Sequence, residues 1–221
     1  MLTAQEIENE LIENHRLETA TFGMGCFWGP ESRFGSLRGV FRTRTGYAGG
    51  TTASPTYRTL GDHTETVEID FDPEILSFED VLKHFWRNHY PNRDEYRGRQ
   101  YLSSLRYHGI QQKEVIDRVK NFMETELGET IETEITELQQ FYLAEERHQK
   151  YYLKRYPGVL EQLSELYPDQ AYIRDSIFAA RLNGIVKGFG TKQQIVAEIQ
   201  QWRIPDKERH KLIQKFLHLK W

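Results

Sequence analysis

A shortage of cysteine is the most restrictive feature of this 221-residue sequence, which contains only one, Cys26. A lone thiol excludes an intramolecular disulfide framework and every metal or redox site that needs paired cysteines. We therefore expect a protein of a reducing compartment. If the thiol of Cys26 is reactive, it has to finish its chemistry with a partner from outside the chain.

Long apolar runs and an excess of positive charge are also missing. No run is long enough for a membrane-spanning helix, and residues 1–16 lack the apolar segment of a secretory signal and the Arg- and Ser-rich pattern of a transit peptide. A net charge of −4 argues against a broad basic surface for nucleic acid, and the eight histidines show no convincing ligand spacing. We therefore predict a cytoplasmic protein with no nucleic-acid partner, no membrane partner and no metal.

Aromatic residues, in contrast, are abundant. They make up 13% of the chain and hydrophobic residues 38%, which is enough for a buried core and rules out wholesale disorder. The hydrophobic periodicity predicts a helical leader over residues 1–16, then strands and helices in the order βαββαβ, with a further helix and strand. Strands are predicted from Leu17 and at Val40–Tyr47, Thr64–Phe71, Tyr101–Tyr107 and Ile131–Leu138, and helices after Pro30, from Phe78, and from about Ile110 to Leu127.

This order of elements predicts an α+β fold, namely a ferredoxin-like two-layer α/β sandwich with additional strands. The last third of the chain changes character, because from Pro157 it is helical and interrupted by proline and glycine. We predict a main domain with its N-terminal leader at residues 1–156 and a helical C-terminal extension at 157–221. Three roles for the extension stay open: capping the domain, positioning an electron donor, or mediating assembly.

Cys26 lies where a predicted strand turns into a helix, next to the aromatic pair Phe27 and Trp28. The N-terminus of a helix presents free N–H groups and the positive end of the dipole, and both favour a thiolate. A buried, inert cysteine is the alternative interpretation. The aromatic pair also allows two interpretations: core packing, or an apolar slot beside the nucleophile that holds a methyl or alkyl group.

Two further groups in this part of the sequence are candidate proton donors. Glu65 falls on the apolar face of the alternating strand Thr64–Phe71, where burial raises the pKa of a carboxyl and keeps it protonated as a general acid. The loop residue His63 is an alternative proton carrier. Tyr57, on the long Gly-rich loop 48–63, offers an O–H that donates to a polarised oxygen, although a packed tyrosine is the simpler interpretation.

Together these residues resemble the A-type peptide methionine sulfoxide reductases. The resemblance extends roughly from Leu17 to Arg155, with the motifs in family order and at near-family spacing. The GCFWG run combined with the downstream Gly-rich loop and the HTE element makes it highly specific. The matching segments are Gly25–Gly29, Gly46–Gly50, Pro55–Arg58, His63–Glu65, Phe85–His89, Gln100–Ser104 and Ala144–Gln149.

The resemblance implies an oxidoreductase of protein repair under oxidative stress, which reduces methionine-S-sulfoxide in oxidised proteins or peptides or as the free amino acid. It implies that Cys26 attacks the sulfoxide sulfur and is left as a sulfenic acid. Glu65 then protonates the oxygen, Tyr57 and Tyr101 hydrogen-bond it, and the aromatic pair holds the methyl group. Residues 1–156 are, on this basis, the catalytic domain.

The sequence departs from the family pattern in two places. The family often has a resolving cysteine in its C-terminal segment and this chain has none, so the resemblance implies a one-cysteine form with no bound cofactor. Its external reductant is then glutathione, glutaredoxin, thioredoxin or a small dithiol. A family acidic residue is expected shortly before Gly98, where Tyr96 stands, with Asp94 and Glu95 displaced, and we assign no role to that acid. His89–Tyr90–Pro91 also replaces the more usual His-Asp-Pro.

Two alternatives from other functional classes stay open. The missing resolving cysteine and the altered segment 88–100 are compatible with a module that binds methionine sulfoxide, or senses oxidation, without turnover. A thiol peroxidase is disfavoured, because an aromatic methyl slot suits a thioether better than a peroxide. Sustained turnover with a physiological thiol tests the first alternative, and the relative rates with peroxide and sulfoxide test the second.

Overall fold

The computed structural model describes residues 2–92, 98–167 and 169–221. Within these residues, the strand at Thr64–Phe71 and the helix at Ile110–Leu127 have the bounds that the sequence predicts. Up to residue 156 the helices and strands are α1 (Ala4–Glu13), β1 (Glu18–Met24), α2 (Trp28–Gly35), β2 (Val40–Ala48), β3 (Thr64–Phe71), α3 (Phe78–Arg87), β4 (Ser103–Tyr107), α4 (Ile110–Leu127), β5 (Glu134–Glu137) and β6 (Phe141–Leu143).

The six strands form one sheet in the order β5-β4-β1-β3-β2-β6. The central strands β4-β1-β3-β2 are antiparallel neighbours, which is the arrangement of a ferredoxin-like βαββαβ sandwich. At the two edges, β5 lies parallel to β4 and β6 lies antiparallel to β2. The predicted α+β fold with additional strands is therefore confirmed.

The strand predicted at Ile131–Leu138 is shorter than expected and extends only over Glu134–Glu137. Two further differences from the sequence-based prediction concern Tyr101 and β6. Tyr101 ends a short 3₁₀ turn, Gly98–Tyr101, so the strand predicted from Tyr101 begins instead at Ser103. The sequence does not predict β6 at all, because three residues carry too little alternation to be recognised. Both differences lie close to the loops that carry the candidate site residues.

Aromatic side chains fill the core between the sheet and the helices α2 and α3. Phe22 in β1 stacks on Phe34 of α2, with 5.2 Å between ring centroids, and on Phe85 of α3, at 5.0 Å. All three side chains are buried. Aromatic pairs of this kind stabilise a fold by about 0.5–1.5 kcal/mol each beyond their burial. This packing fixes the position of α2 relative to the end of β1.

The C-terminal extension is helical, as predicted, and packs on both α1 and α2. Its helices are α5 (Pro157–Ser164), α6 (Ile177–Val186), α7 (Lys192–Ile199) and α8 (Asp206–Leu217). Their apolar faces form a second core with α1, in which Ile7 and Leu11 are buried. Helix α6 lies directly on α2, since a Cβ atom at Gly35 would come within 2.6 Å of the Ala180 carbonyl oxygen. The division between residues 156 and 157 stays a prediction.

Among the residues that the structure describes, no helix is both long and apolar enough to cross a membrane.

A buried carboxyl joins α1 to the extension. Glu8 is inaccessible to solvent and accepts hydrogen bonds from the Tyr167 hydroxyl at 2.7 Å and from the N–H groups of Ile177 and Phe178 at 3.2 and 3.1 Å. Burial is the largest influence and raises the pKa of Glu8 from 4.5 to about 7, while these hydrogen bonds act in the opposite direction. The hydrogen bonds of Glu8 thus hold the start of α6 against α1, and burial makes this carboxyl harder to ionise.

We expect Glu8→Gln to remove a pH dependence from the free energy of unfolding. Because the folded pKa is raised, the contribution of Glu8 is most favourable below about pH 4.5 and is lost as the pH rises towards 7. The stability of the native protein relative to Glu8→Gln should fall by roughly 3 kcal/mol between about pH 4.5 and pH 8. Urea unfolding of both proteins across this range measures the difference, and parallel pH profiles would contradict the prediction.

Candidate active site

Cys26 stands in the short turn between β1, which ends at Met24, and α2, which begins at Trp28. Gly25 bends the chain there with a φ of +83°, a conformation that favours glycine. The residue Cys26 is exposed. A position buried in the core, which the sequence left open for this cysteine, is therefore excluded.

The thiol of Cys26 is subject to opposing influences on its pKa. Although the residue is exposed, partial burial of the thiol is the largest influence, and it raises the pKa above the usual value. The negative charge of Glu65 acts in the same direction, whereas the N–H of Trp28 at the start of α2 lowers the pKa. The predicted effect of the helix is present, but it is outweighed, so the expectation of a favoured thiolate is wrong for the free site.

Glu65 is a buried carboxyl directly beside Cys26. Its Oε2 accepts the backbone N–H of Phe27 at 3.1 Å, and its Oε1 accepts the side-chain amide of Gln100 at 2.7 Å. Burial raises the pKa of Glu65, and the two hydrogen bonds partly oppose this effect. Burial therefore acts on the pKa of Glu65 in the direction that the sequence predicts for a general acid.

Two tyrosine hydroxyls lie near the same carboxyl. Tyr101 is half-buried, and its hydroxyl is hydrogen-bonded to that of Tyr57 on the exposed loop. Burial is the main cause that raises the pKa of Tyr101 to about 12, and the nearby Glu65 and Tyr57 add to it. A hydroxyl with so high a pKa stays protonated, so Tyr101 can donate to an oxygen held near Glu65.

The aromatic side chains beside Cys26 form a continuous surface. The Trp28 ring stacks on Tyr151, with 3.7 Å between centroids, and its Nε1 donates to Nδ1 of His148 at 3.3 Å. The His148 ring lies 5.3 Å from Phe27 and 4.9 Å from Tyr57. We refer to Trp28, His148 and Tyr151 as the aromatic wall. Phe27 itself is almost fully buried behind it.

Sequence reasoning assigned no role to Glu145, His148 or Tyr151. The carboxylate of Glu145 accepts hydrogen bonds from the Tyr47 hydroxyl at 2.7 Å and from the backbone N–H of Tyr57 at 3.1 Å. Glu145 therefore holds the loop that carries Tyr57. The motif Ala144–Gln149 was available as a signal, but its residues are far from Cys26 in sequence. Only the fold brings this segment to the site.

His63, the alternative proton carrier, has both ring nitrogens engaged by the loop backbone. Its Nδ1 accepts the Gly50 N–H at 3.1 Å, which leaves Nε2 to donate to the Thr52 carbonyl at 2.8 Å. The side chain is buried. Both ring nitrogens are therefore engaged in ordering the loop, and neither is available to donate a proton to a substrate.

Some sequence-based expectations fall on residues that are not covered. Asp94, Glu95 and Tyr96, which concern the displaced family acid, lie outside the described residues. In the part of the chain that is described, no group of three or more His, Cys, Asp or Glu side chains is arranged to hold a metal ion.

A family model described as peptide methionine sulfoxide reductase matches residues 18–177. The chain belongs to this family. It is 44% identical over 192 residues to the peptide methionine sulfoxide reductase of Drosophila melanogaster, which covers 86% of this chain and 77% of the relative. It is also 40% identical over 154 residues to the peptide methionine sulfoxide reductase MsrA of Rippkaea orientalis, covering 64% of this chain and 71% of the relative.

Solved structures of the family have the same fold. Reduced Mxr1 from Saccharomyces cerevisiae superposes with a TM-score of 0.60 at 25% identity, over 64% of this chain and 87% of that one. Methionine sulfoxide reductase A of Corynebacterium diphtheriae gives a TM-score of 0.55 at 32% identity, over 64% and 76% of the two chains. The expected family and the expected fold are both confirmed.

Membership of the family gives the class of reaction. The reductase is an oxidoreductase that reduces methionine sulfoxide in peptides, and thiol dependence and the repair of oxidised proteins fit the family. A binding or sensing module without turnover is not favoured. Mitochondrial relatives are known from Bos taurus and Homo sapiens, so the cytoplasmic location stays a prediction.

Proposed function

We propose that this reductase acts on the S epimer of methionine sulfoxide, with Cys26 as the nucleophile and an external thiol as the reductant. One observation carries the proposal. An exposed thiol lies beside a buried carboxyl, Glu65, which accepts the N–H of the very next residue, Phe27. A nucleophile that solvent can reach and a carboxylic acid whose pKa is raised by burial are the two groups that sulfoxide reduction needs.

The first step transfers oxygen from the substrate to the enzyme. The sulfur of Cys26 attacks the sulfoxide sulfur while Glu65 donates its proton to the sulfoxide oxygen, which gives an adduct with a bond between the two sulfurs. The hydroxyl then passes to the Cys26 sulfur as the substrate S–O bond and the S–S bond both break, and a sulfenic acid remains on Cys26. The thiol loses one proton and Glu65 recovers one, so the carboxyl ends the step as it began. The thioether leaves as reduced methionine, and the cysteine is oxidised by two electrons.

The hydroxyls of Tyr57 and Tyr101 stabilise the developing charge. Because the pKa of Tyr101 is raised to about 12, its hydroxyl stays protonated at neutral pH and donates to the sulfoxide oxygen. With the oxygen directed towards Glu65 and the tyrosines, the methyl group of the substrate packs on Trp28, with the buried Phe27 behind it. This arrangement distinguishes the two epimers at sulfur, because in the mirror-image sulfoxide the oxygen and the methyl group exchange places relative to the rest of the substrate.

A thiol from outside the chain completes the cycle. The chain contains no second cysteine, so an external thiolate attacks the sulfur of the sulfenic acid, releases water and forms a mixed disulfide with Cys26. A second external thiol then frees Cys26. Glutathione, glutaredoxin, thioredoxin and a small dithiol all provide this chemistry, and the exposure of Cys26 supports access for each of them.

The proposal predicts that only one sulfoxide epimer is consumed. With dithiothreitol as reductant, the separated S epimer of N-acetylmethionine sulfoxide should be converted fully, while the R epimer reacts at least about 10²-fold more slowly. Chiral chromatography of the remaining sulfoxide measures both rates, and the R epimer serves as the internal control. Equal loss of both epimers, or no loss of the S epimer, would contradict the proposal.

A further inference from the structure

A fully buried ion pair connects the active-site helix to the aromatic wall. Lys150 and Glu31 are both inaccessible to solvent, and Nζ of Lys150 lies 2.8 Å from Oε1 of Glu31. The same Nζ donates to the carbonyl of Thr43 in β2 at 2.7 Å. Charges removed from water are costly unless they are paired and hydrogen-bonded, so a fold that keeps such a pair holds both partners in one geometry.

Glu31 holds the backbone of Lys150 as well as its side chain. Its Oε2 accepts the backbone N–H of Lys150 at 2.8 Å. Lys150 has a φ of +50°, a left-handed conformation that is strained for a residue with a side chain. Glu31 belongs to α2, which begins at Trp28, and Lys150 lies between the other two members of the aromatic wall. The two hydrogen bonds of Glu31 therefore fix the chain turn that directs His148 and Tyr151.

The C-terminal extension supplies a third member of this network. Asn183 of α6 is completely buried, its Oδ1 accepts the backbone N–H of Leu153 at 3.0 Å, and its Nδ2 donates to Oε2 of Glu31 at 3.4 Å. Asn183 thus contacts Leu153, which follows Tyr151 in the chain, and also the Glu31 carboxylate that holds Lys150.

We infer that Glu31, Lys150 and Asn183 are positioning residues that hold the aromatic wall against the start of α2, so that the extension takes part in substrate binding. The inference rests on the proposed function, in which Trp28 receives the methyl group of the sulfoxide. Trp28 stacks on Tyr151 and donates to His148, so its ring orientation follows the placement of that segment. None of the three positioning residues contacts the reacting atoms. Their effect falls on substrate binding and not on the chemical step.

The substitution Asn183→Leu tests this inference, because leucine fills a similar volume and removes both hydrogen bonds. In single-turnover reduction of N-acetylmethionine-S-sulfoxide, we expect the half-saturating substrate concentration to rise about tenfold, while the limiting rate changes less than about threefold. Tyr167→Phe is the matched control, since it removes the hydrogen bond to Glu8 elsewhere in the extension core. The control should unfold at a lower temperature and keep the native half-saturating concentration.

A purely structural role gives a different pattern, in which both variants lose thermal stability and neither changes the half-saturating concentration. That result overturns the inference. Failure of the proposed function is distinguishable, because the native protein itself then forms no methionine from the S epimer. In neither case does the interpretation depend on the recycling thiol, since one turnover needs none.

A second pair of variants covers the case in which Asn183→Leu does not fold. Lys150→Met leaves the buried carboxylate of Glu31 without its cation, and we expect the half-saturating concentration to rise about tenfold. Combining Lys150→Met with Glu31→Gln removes the unpaired charge and keeps an acceptor for the backbone N–H of residue 150. The double variant should be closer to the native protein than Lys150→Met alone. A double variant that binds no better than the single one overturns the inference.

Discussion

Replacing Cys26 with serine is expected to abolish methionine sulfoxide reduction, with a loss of at least about 10³-fold in turnover. A serine hydroxyl is a far weaker nucleophile towards sulfur, and no other thiol in the chain can replace it. Turnover with dithiothreitol measures the loss. A second measurement omits the reductant: the native protein should form one equivalent of methionine and retain one oxygen atom on Cys26, whereas the serine variant forms none.

The position of Cys26 makes this substitution a clean test. The residue is exposed and lies in a turn outside both β1 and α2, so Cys26→Ser should leave the thermal unfolding transition close to that of the native protein. An unchanged fold combined with lost activity assigns the effect to the sulfur atom. Turnover by a correctly folded serine variant would exclude Cys26 as the nucleophile.

The same reactions distinguish a reductase from a module that binds methionine sulfoxide, or senses oxidation, without turnover. A module that only senses oxidation would stop after one equivalent of methionine even when glutathione or a dithiol is supplied. Because the exposed position of Cys26 gives an external thiol access to its sulfenic acid, we expect turnover to continue.

The central fold follows from local sequence patterns. The alternation in Thr64–Phe71 and the periodicity of Ile110–Leu127 give these elements their observed bounds, and the order of elements is enough for the antiparallel core of the sheet. The patterns miss elements that are short or that depend on partners distant in the sequence. The strand Phe141–Leu143 exists because β2 offers it an edge, and three residues in isolation carry no such information.

The candidate site divides in the same way. Cys26, Phe27 and Trp28 are neighbours in sequence, and the alternation of β3 predicts the burial of Glu65, so local reasoning reaches all four. His148 joins Trp28 across 120 positions of sequence, and no periodicity reports such a contact. The pKa of the Cys26 thiol shows the same limit: the helix start is visible in the sequence, but the burial and the carboxylate that outweigh it are not.

Replacing Glu65 with glutamine should slow sulfoxide reduction by about 10²-fold or more, because an amide keeps the shape of the side chain but has no acidic proton to donate. The same substitution removes a negative charge that raises the pKa of the Cys26 thiol. At a pH above the pKa of Glu65, where the native carboxyl carries its charge, the variant thiol should therefore be more ionised than the native one. Alkylation of Cys26 by iodoacetamide, followed against pH, measures this second effect independently of the substrate.

These two effects have opposite signs, which makes the prediction specific. A nucleophile that becomes more reactive towards iodoacetamide while the enzyme becomes slower towards sulfoxide requires a proton donor at position 65. The raised pKa of Glu65 adds a pH signature: as the pH rises through it, the native protein loses the acid form, whereas Glu65→Gln should show only the rise that follows thiol ionisation.

A carboxyl on the same strand provides the control. Glu68 also lies in β3, but it pairs with Arg44 at 2.7 Å, outside the set of groups around Cys26. Glu68→Gln should leave both the alkylation profile and the rate of sulfoxide reduction near their native values. If Glu65→Gln reduces sulfoxide at the native rate, the proton must come from another group, and the hydroxyls of Tyr57 and Tyr101 become the donors to test.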